Sequence, residues 1–370
     1  MATAYHTRTW LLWLAAAGLA ALLTRNPLYL LLIALAARAV DEAAAAYERA
    51  ASPDAADPRR HSWGWFLRVG LILATVAALF NGLGSHFGAT VLGTLPRAWP
   101  LIGGLLTVEG FAYGALGGLA VVVVLIVAGT FNLGADTYAL LRAIPAAFAQ
   151  AGLVTAIGLA YVPQTITRLR EIHEAQQLRG HRFRGPGATL PLAVPLLAGG
   201  LDRAISLAEA MEARGFSHRT ADPSGGAVRS QRRIRAALLG GTGGVGVGAF
   251  LLIYYRQAPA GGAAVLIGGL LALGWALRAL GRLSRHSRYR RELWRRRDTG
   301  VCLALALSLA VTLAIWFTHA GWWVYSPYPQ LAWPPFDPLV GAALALLAAP
   351  ALPLLRLTGQ ARRVTTSVEC

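Results

Sequence analysis

The sequence contains no lysine and few charged residues of any kind. Charged residues make up 14% of the 370 residues, 56% are hydrophobic, and the mean hydropathy is +0.51. A soluble domain carries about 25% charged residues. A bilayer core about 30 Å thick needs roughly 20 apolar residues for each helical span, and several stretches approach that length. The shortage of charge excludes an ordinary soluble enzyme and predicts an all-α, polytopic membrane helix bundle.

Other shortages exclude particular kinds of site. The two cysteines, Cys302 and Cys370, lie in an apolar run and at the last position, so no structural disulfide is expected. Without lysine there is no phosphate-binding Gly-Lys-Ser/Thr loop, and the chain itself is not expected to hydrolyse ATP. The eight histidines are scattered, with no i, i+4 pair beside a carboxylate. No metal and no cofactor are therefore expected.

The net charge of +17 comes entirely from arginine. A basic excess can indicate nucleic-acid binding in a soluble protein. Here the arginines lie between apolar segments, where cytoplasmic loops of membrane proteins concentrate them. The charge therefore indicates membrane topology, and no nucleic-acid partner is expected.

About eight spans are predicted from the apolar stretches. The first is interpreted as one long, kinked segment interrupted at Arg25-Asn26-Pro27 rather than as a cleaved signal; as a hairpin it would change the parity of the N-terminal spans. A re-entrant segment over 81–110 is also left open. The predicted spans are 10–37, 66–80, 111–128, 139–162, 236–255, 262–281, 300–318 and 338–355.

Two loops predict the orientation of the C-terminal half. Loop 282–297 holds eight arginines against one acid, Glu292, which is typical of a cytoplasmic loop. Loop 319–336 holds no arginine, six aromatic residues and four prolines, and aromatic residues gather at the membrane–water interface. We expect the second loop to be external and the C-terminus to be cytoplasmic.

Residues 163–235 form a long region between apolar stretches. They carry twelve arginines and six acids, and the apolar stretch 188–201 within them is short for a span. Such a length is unusual for a connection in a compact bundle. We expect a cytoplasmic region that contacts a partner, lying between an N-terminal membrane bundle, 1–162, and C-terminal membrane spans, 236–370.

Two helices in this region are predicted to end in Arg-Gly. One begins after Pro163 and ends in Arg179-Gly180; the other covers 201–214 and ends at Gly215. Glycine terminates helices, and an arginine in the last turn suits the helix dipole. An ordinary amphipathic helix with a capping glycine explains the second pattern too. Its apolar stripe, expected to lie on the bundle opposite Arg203 and Arg214, consists of Leu201, Ile205, Ala208, Met211 and Gly215.

These residues resemble the transmembrane T component of energy-coupling factor (ECF) transporters, in which two Ala-Arg-Gly-like motifs end cytoplasmic coupling helices. The resemblance covers about 105–220, and the first motif departs from the usual pattern because Leu178 stands in place of Ala. The residues that carry it are Thr107-Val108-Glu109-Gly110, Pro163, Ile172, Ala175-Gln176, Arg179-Gly180, Phe183, Arg203-Ala204, Leu207-Ala208, Ala210-Met211-Glu212-Ala213-Arg214-Gly215-Phe216 and Arg219-Thr220.

The resemblance implies a non-catalytic subunit of the cell membrane that joins a substrate-binding S component to two cytoplasmic ABC ATPases, for uptake of a vitamin or a metal ion. It implies that the ATPase contacts are Arg179, Gly180, Ala213, Arg214 and Gly215. It also implies that the coupling helices are supported by Pro163, Gln176, Arg203, Met211 and Glu212.

Two other functions stay open. A membrane enzyme acting on lipid-linked substrates would need an acid–base or metal constellation near the interface. A stand-alone transporter would favour inverted repeats and ionisable residues at mid-membrane. Of the ionisable residues near apolar segments, Glu109 and Asp136 are expected at interfacial or loop positions.

A glycine-rich stretch resembles a nucleotide-binding fingerprint. Gly241-Thr242-Gly243-Gly244-Val245-Gly246 fits G-x-G-x-x-G, but it opens an apolar helix and follows no strand. The spacing of Gly240, Gly244 and Gly248 instead predicts close packing of two helices.

Overall fold

The computed structural model describes residues 5–51, 59–85, 87–96, 104–144, 148–181, 190–215, 225–254, 259–283, 294–318, 323 and 325–356, and they are mostly helical. They fall into two compact units, Met1–Leu140 with Arg290–Cys370, and Leu141–Tyr289. These two units are defined by contacts between residues. The three regions predicted from the sequence, 1–162, 163–235 and 236–370, are defined by expected function, and they stay a prediction.

The elements are α1 (Thr7–Leu23), α2 (Pro27–Ala51), α3 (Arg59–Gly84), β1 (Val91–Thr94), β2 (Leu105–Thr107), α4 (Val108–Gly134), α5 (Thr137–Ala143), α6 (Ala149–Leu178), α7 (Leu190–Ala213), α8 (Gly225–Tyr254), α9 (Pro259–Leu283), α10 (Arg296–Thr318) and α11 (Pro338–Ala345). A 3₁₀ turn, Leu346–Ala348, and helical residues 351–356 follow α11. Strands β1 and β2 pair antiparallel, with a bulge between Val91 and Gly93.

The prediction of one kinked span over 10–37 is wrong, because the chain reverses between α1 and α2. Thr24 takes an extended conformation that ends α1, and Pro27 starts α2. Proline disfavours helical geometry in the residue before it and is well suited to a first helical position. Tyr5, just before α1, and Trp13 of α1 contact Pro350 and Leu347 after α11. Helix α2 starts beside Asp337 and packs along α11 to the same turn, so the two helices run in opposite directions. The first stretch is the hairpin that the sequence left open.

Contacts within the first unit define two ends. At one, which we call the arginine end, Asp298 accepts hydrogen bonds from the backbone N–H groups of Arg295 at 2.8 Å and His6 at 3.2 Å. At the other, the aromatic end, the backbone carbonyl of Trp323 accepts the N–H of Arg25 at 3.0 Å and the hydroxyl of Thr24 at 3.0 Å. The start of α1 therefore lies at the arginine end, and its end lies against the loop rich in aromatic residues.

Buried tryptophan and tyrosine side chains tie α1 and α2 to the last helices. The indole N–H of Trp13 donates to the carbonyl of Leu347 at 2.9 Å. Tyr29 accepts the backbone N–H of Asp337 at 2.8 Å, and its ring lies 5.6 Å from that of Trp323. Buried polar groups need such partners, so these bonds specify one arrangement of the core as well as stabilising it.

Glycines allow α3 and α4 to approach closely. A Cβ at Gly114 would overlap the carbonyl oxygen of Ala77, and one at Gly118 would overlap the Cα of Ala74. Small residues at i, i+4 spacing bring helix backbones together in membrane proteins. The same packing places the end of α4 at the arginine end, where Gly134 faces the ring of Trp10.

In the second unit α8 and α9 pack through glycines as well. A Cβ at Gly248 would lie 2.5 Å from the backbone nitrogen of Leu266, and one at Gly244 would lie 3.1 Å from the Cα of Gly269. The prediction of close packing is confirmed for these two residues. It is wrong for Gly240, which meets nothing within 4 Å; Gly241 occupies the interface instead, since residues 241, 244 and 248 recur at spacings of three and four on one face of α8.

Among the described residues, six helices are long and apolar enough to cross a membrane. A single helix over 139–162 is not found, since α5 ends at Ala143 and α6 begins at Ala149, and neither is among the six. The stretch 338–355 holds only a shorter apolar helix. The six are Gly64–Gly84, Val108–Gly134, Leu190–Ala213, Arg232–Leu252, Gly261–Leu280 and Arg296–Trp316. The third is a correction, because the sequence predicted that the apolar stretch 188–201 is too short for a span, whereas its helix continues to Ala213.

Candidate coupling region

The end of α6 is closed by a two-bond cap. Arg179 is the C-cap residue of α6, and the following Gly180 has φ +80°. The N–H of Gly180 donates to Gln177 at 2.9 Å, and the N–H of His181 donates to Gln176 at 3.0 Å. This pair of bonds defines the Schellman motif, which satisfies the final carbonyl groups of a helix.

The end of α7 shares the positive φ of the glycine and the first of these two bonds. Gly215 has φ +77°, and its N–H donates to the carbonyl of Glu212 at 2.8 Å. Arg214 stands at the position that corresponds to Arg179. The prediction that glycine terminates both helices is confirmed.

Glycine is required at both positions by the backbone conformation and not by a lack of room for a side chain. A Cβ on Gly180 or Gly215 would meet nothing within 4 Å, but a positive φ is strained for a residue with a side chain. Both caps are therefore exposed tips.

The two arginines beside these glycines are solvent-exposed. Among the described residues, neither Arg179 nor Arg214 forms an ion pair. In contrast, Arg168, earlier in α6, pairs with Glu171 at 2.9 Å. A planar guanidinium group binds carboxylates or carbonyl groups through two parallel bonds. Both helices thus present an available guanidinium group at the tip.

The residues expected to support the coupling helices occupy different environments. Pro163 is exposed inside α6, and its carbonyl accepts the hydroxyl of Thr167 at 3.1 Å. Gln176 is half-buried and takes part in the cap through its backbone. Ala213 and Glu212 are exposed in the last turn of α7. None of these positions tests the expected role.

That α7 lays its apolar stripe on the bundle stays a prediction, and within the second unit most of this stripe is exposed. Leu201 is 62% exposed and Ile205 is 50% exposed. The half-buried residues Arg203, Leu207 and Met211 recur at four-residue intervals, so Met211 is the one stripe residue among them, and α7 packs against α6. The apolar stripe is therefore available for lipid or a partner, and Arg203 lies on the packed side.

The nucleotide-binding fingerprint is excluded by its setting. Gly241 to Gly246 lie in the middle of α8, with helix on both sides and no preceding strand. A dinucleotide site needs these glycines in a turn between a strand and a helix. Their role is helix packing.

The Thr107-Val108-Glu109-Gly110 motif forms a buried connection at the aromatic end. Thr107 caps α4 by accepting the N–H of Gly110 and donates its hydroxyl to Phe87 at 2.8 Å. The fully buried Glu109 accepts the N–H of Thr90 at 3.0 Å. Its carboxylate thus lies in the first turn of α4 and fixes the segment before β1, a role that sequence reasoning missed because Thr90 is nineteen residues away.

Asp136 has a local role. It precedes α5 and accepts the N–H of Tyr138 at 2.9 Å, as an N-cap does. The loop position expected for Asp136 is confirmed. Among the described residues, no group of three or more His, Cys, Asp or Glu side chains is placed to hold a metal ion.

The fold is that of an all-helical membrane protein with two Arg-Gly helix ends. No known family profile matches the chain. Over 82 residues it is 40% identical to the energy-coupling factor transporter transmembrane protein EcfT of Leuconostoc gelidum subsp. gasicomitatum. The match covers 20% of this chain and 31% of the relative, so this chain spans about a third of that protein's length. The resemblance to the T component is thereby confirmed over part of the chain.

Proposed function

We propose that this chain is the membrane coupling subunit of an ECF-type ABC importer. It would join two cytoplasmic ABC ATPases to a membrane S component and transmit the motion of the ATPases during uptake of a vitamin or a metal ion. The observation that carries this proposal is the pair of exposed Arg-Gly helix ends, Arg179-Gly180 and Arg214-Gly215, each with a glycine at positive φ. Partial identity to EcfT supports it.

The geometry of the caps suits rigid-body transmission. The glycine cap closes the last turn of each helix, so a force on the neighbouring arginine would be carried along the helix axis. ATPases that close around ATP would shift both tips, and the helices would move as rods. Arginines buried in an interface are common hot spots whose truncation costs about 2 kcal/mol or more.

The orientation of the first unit agrees with cytoplasmic coupling helices. Arg295 and Arg296 are exposed at the arginine end, which the positive-inside rule places in the cytoplasm. Helix α4 ends at that same end, with Gly134 against Trp10. The chain therefore leaves the first unit on the cytoplasmic side, just before α6 and α7. The C-terminus would be cytoplasmic too, because Pro350 accepts a hydrogen bond from Tyr5 there.

Co-purification tests the proposal. The full chain, tagged and expressed with its genomic neighbours, is expected to bring down ABC ATPases. The double variant Arg179→Glu with Arg214→Glu should lower the recovered ATPase by at least tenfold, because both contacts become repulsive. Arg170→Glu changes the charge of another exposed arginine of α6 and serves as the control. Equal recovery with the double variant and the control contradicts the proposal.

A further inference from the structure

The α8–α9 hairpin has an unusual distribution of charge. Residues 225–283 contain no aspartate and no glutamate. Four exposed arginines lie at the start of α8 and in the last turns of α9, and we call them the basic rim: Arg232, Arg233, Arg235 and Arg278.

The packing of the hairpin places these arginines at one level. Gly248 contacts Leu266 and Gly241 contacts Leu273, so the helices are antiparallel with a fixed register. Continuing that register brings Arg278 level with the turn that follows Arg235. Ile234 is buried between Arg233 and Arg235, which holds α8 in a rotation that turns both arginines outward.

The rim lies at the boundary of the apolar part of the hairpin. The apolar windows run over Arg232–Leu252 and Gly261–Leu280. Trp275 is 54% exposed and precedes Arg278 by three residues, so the two side chains share one side of α9. An exposed tryptophan beside an arginine at the end of an apolar helix is typical of the membrane–water interface.

We infer that the basic rim binds the phosphate headgroups of anionic phospholipids, with the acyl chains lying along the apolar sides of α8 and α9. Charge complementarity at the end of the apolar helices indicates this occupant. A guanidinium group binds two phosphate oxygens through parallel hydrogen bonds, and residues 225–283 contain no acidic side chain that would compete for the arginines. The cytoplasmic leaflet, which carries anionic lipid, attracts arginines placed at its surface. This inference is independent of the coupling role.

Native mass spectrometry of the full-length protein tests the inference. The protein, in mild detergent, is offered phosphatidylglycerol and phosphatidylcholine of identical acyl chains at equal concentrations. The wild type is expected to retain phosphatidylglycerol preferentially. The variant Arg235→Gln with Arg278→Gln should lower the ratio of bound phosphatidylglycerol to phosphatidylcholine by about fivefold, and higher salt should lower it in the wild type.

A control variant removes an arginine outside the rim. Arg170→Gln changes an exposed arginine of α6 and should leave the ratio unchanged. Soluble glycerol 3-phosphate should not displace the lipid; displacement would show a site for free phosphate and overturn the inference. No preference for phosphatidylglycerol in the wild type, or the same preference in the double variant Arg235→Gln with Arg278→Gln and the wild type, would overturn it too. The salt series on the wild type decides the matter even where a variant fails to fold.

Discussion

Helices α4 and α7 are both apolar and long enough to cross a membrane, yet they are packed in opposite ways. Ten residues of α4 are buried, including the fully buried Glu109, whereas α7 has no buried residue among its 24. The first helix is held by contacts within the chain. The second exposes its apolar stripe and ends at an arginine. The difference indicates that the first unit provides stability, while α7 is built for contact with lipid or a partner.

The largest effect is expected from the tight α3–α4 contact. Gly118→Leu should lower the free energy of unfolding by about 3 kcal/mol, because the side chain would overlap the backbone at Ala74. Gly117→Leu, where a Cβ meets nothing within 4 Å, is the matched control. Thermal unfolding of the detergent-solubilised protein measures both. Equal midpoints would contradict the described packing.

The α8–α9 contact should respond in the same way but less strongly. Gly248→Leu is expected to cost about 2 kcal/mol, because a Cβ there lies against the backbone of Leu266. Gly246→Leu adds the same volume on the open side of α8 and should be nearly neutral. Limited proteolysis, used as the measure of unfolding, compares the two variants. A greater loss of stability with Gly246→Leu than with Gly248→Leu would mean that α8 is rotated differently.

A smaller effect is expected from the hydrogen bond between Trp13 and Leu347. Trp13→Phe keeps an aromatic ring but leaves a buried carbonyl group without its donor. We expect a loss of about 1–2 kcal/mol. Trp65→Phe changes an exposed tryptophan and should leave the unfolding midpoint unchanged. Similar midpoints for both variants would show that the bond contributes nothing.

The smallest effect is expected at the two caps. Gly180→Ala and Gly215→Ala should each cost about 1 kcal/mol through strain at positive φ, without any steric contact. Asparagine tolerates this conformation better and should cost less. Hydrogen exchange should quicken only in the last turns of α6 and α7, with the global midpoint unchanged. A large shift of that midpoint would show that the caps belong to the stable core.

Local chemistry made the Arg-Gly ends predictable. A glycine after an amphipathic stretch favours a positive φ, and this preference depends on neighbouring residues alone. The hairpin of α1 and α2 had a local signal too, at Arg25-Asn26-Pro27, but a kink and a full reversal give the same pattern. The contacts of both helices with α11 and the turn after it distinguish them.

Features that depend on the rotation of one helix against another were not predictable. Gly240 and Gly241 are equally small, and the interface takes Gly241 because of the orientation of α8 relative to α9. The apolar stripe of α7 looked like a core face, because the sequence carries no information on which surface meets α6. The partner of Glu109 was hidden for the same reason, since Thr90 approaches through the tertiary fold.

Site-specific photo-crosslinking tests the central claim, that α7 ends in a docking tip for an ATPase. A benzophenone amino acid replaces the exposed Ala213, beside Arg214, in the full chain expressed with its genomic neighbours. The control position is Trp333, which is 94% exposed at the aromatic end. The account predicts an adduct with an ABC ATPase from position 213 and none from position 333. Adducts from position 333 alone, or no ATPase adduct from 213 while the ATPases are present, would contradict it.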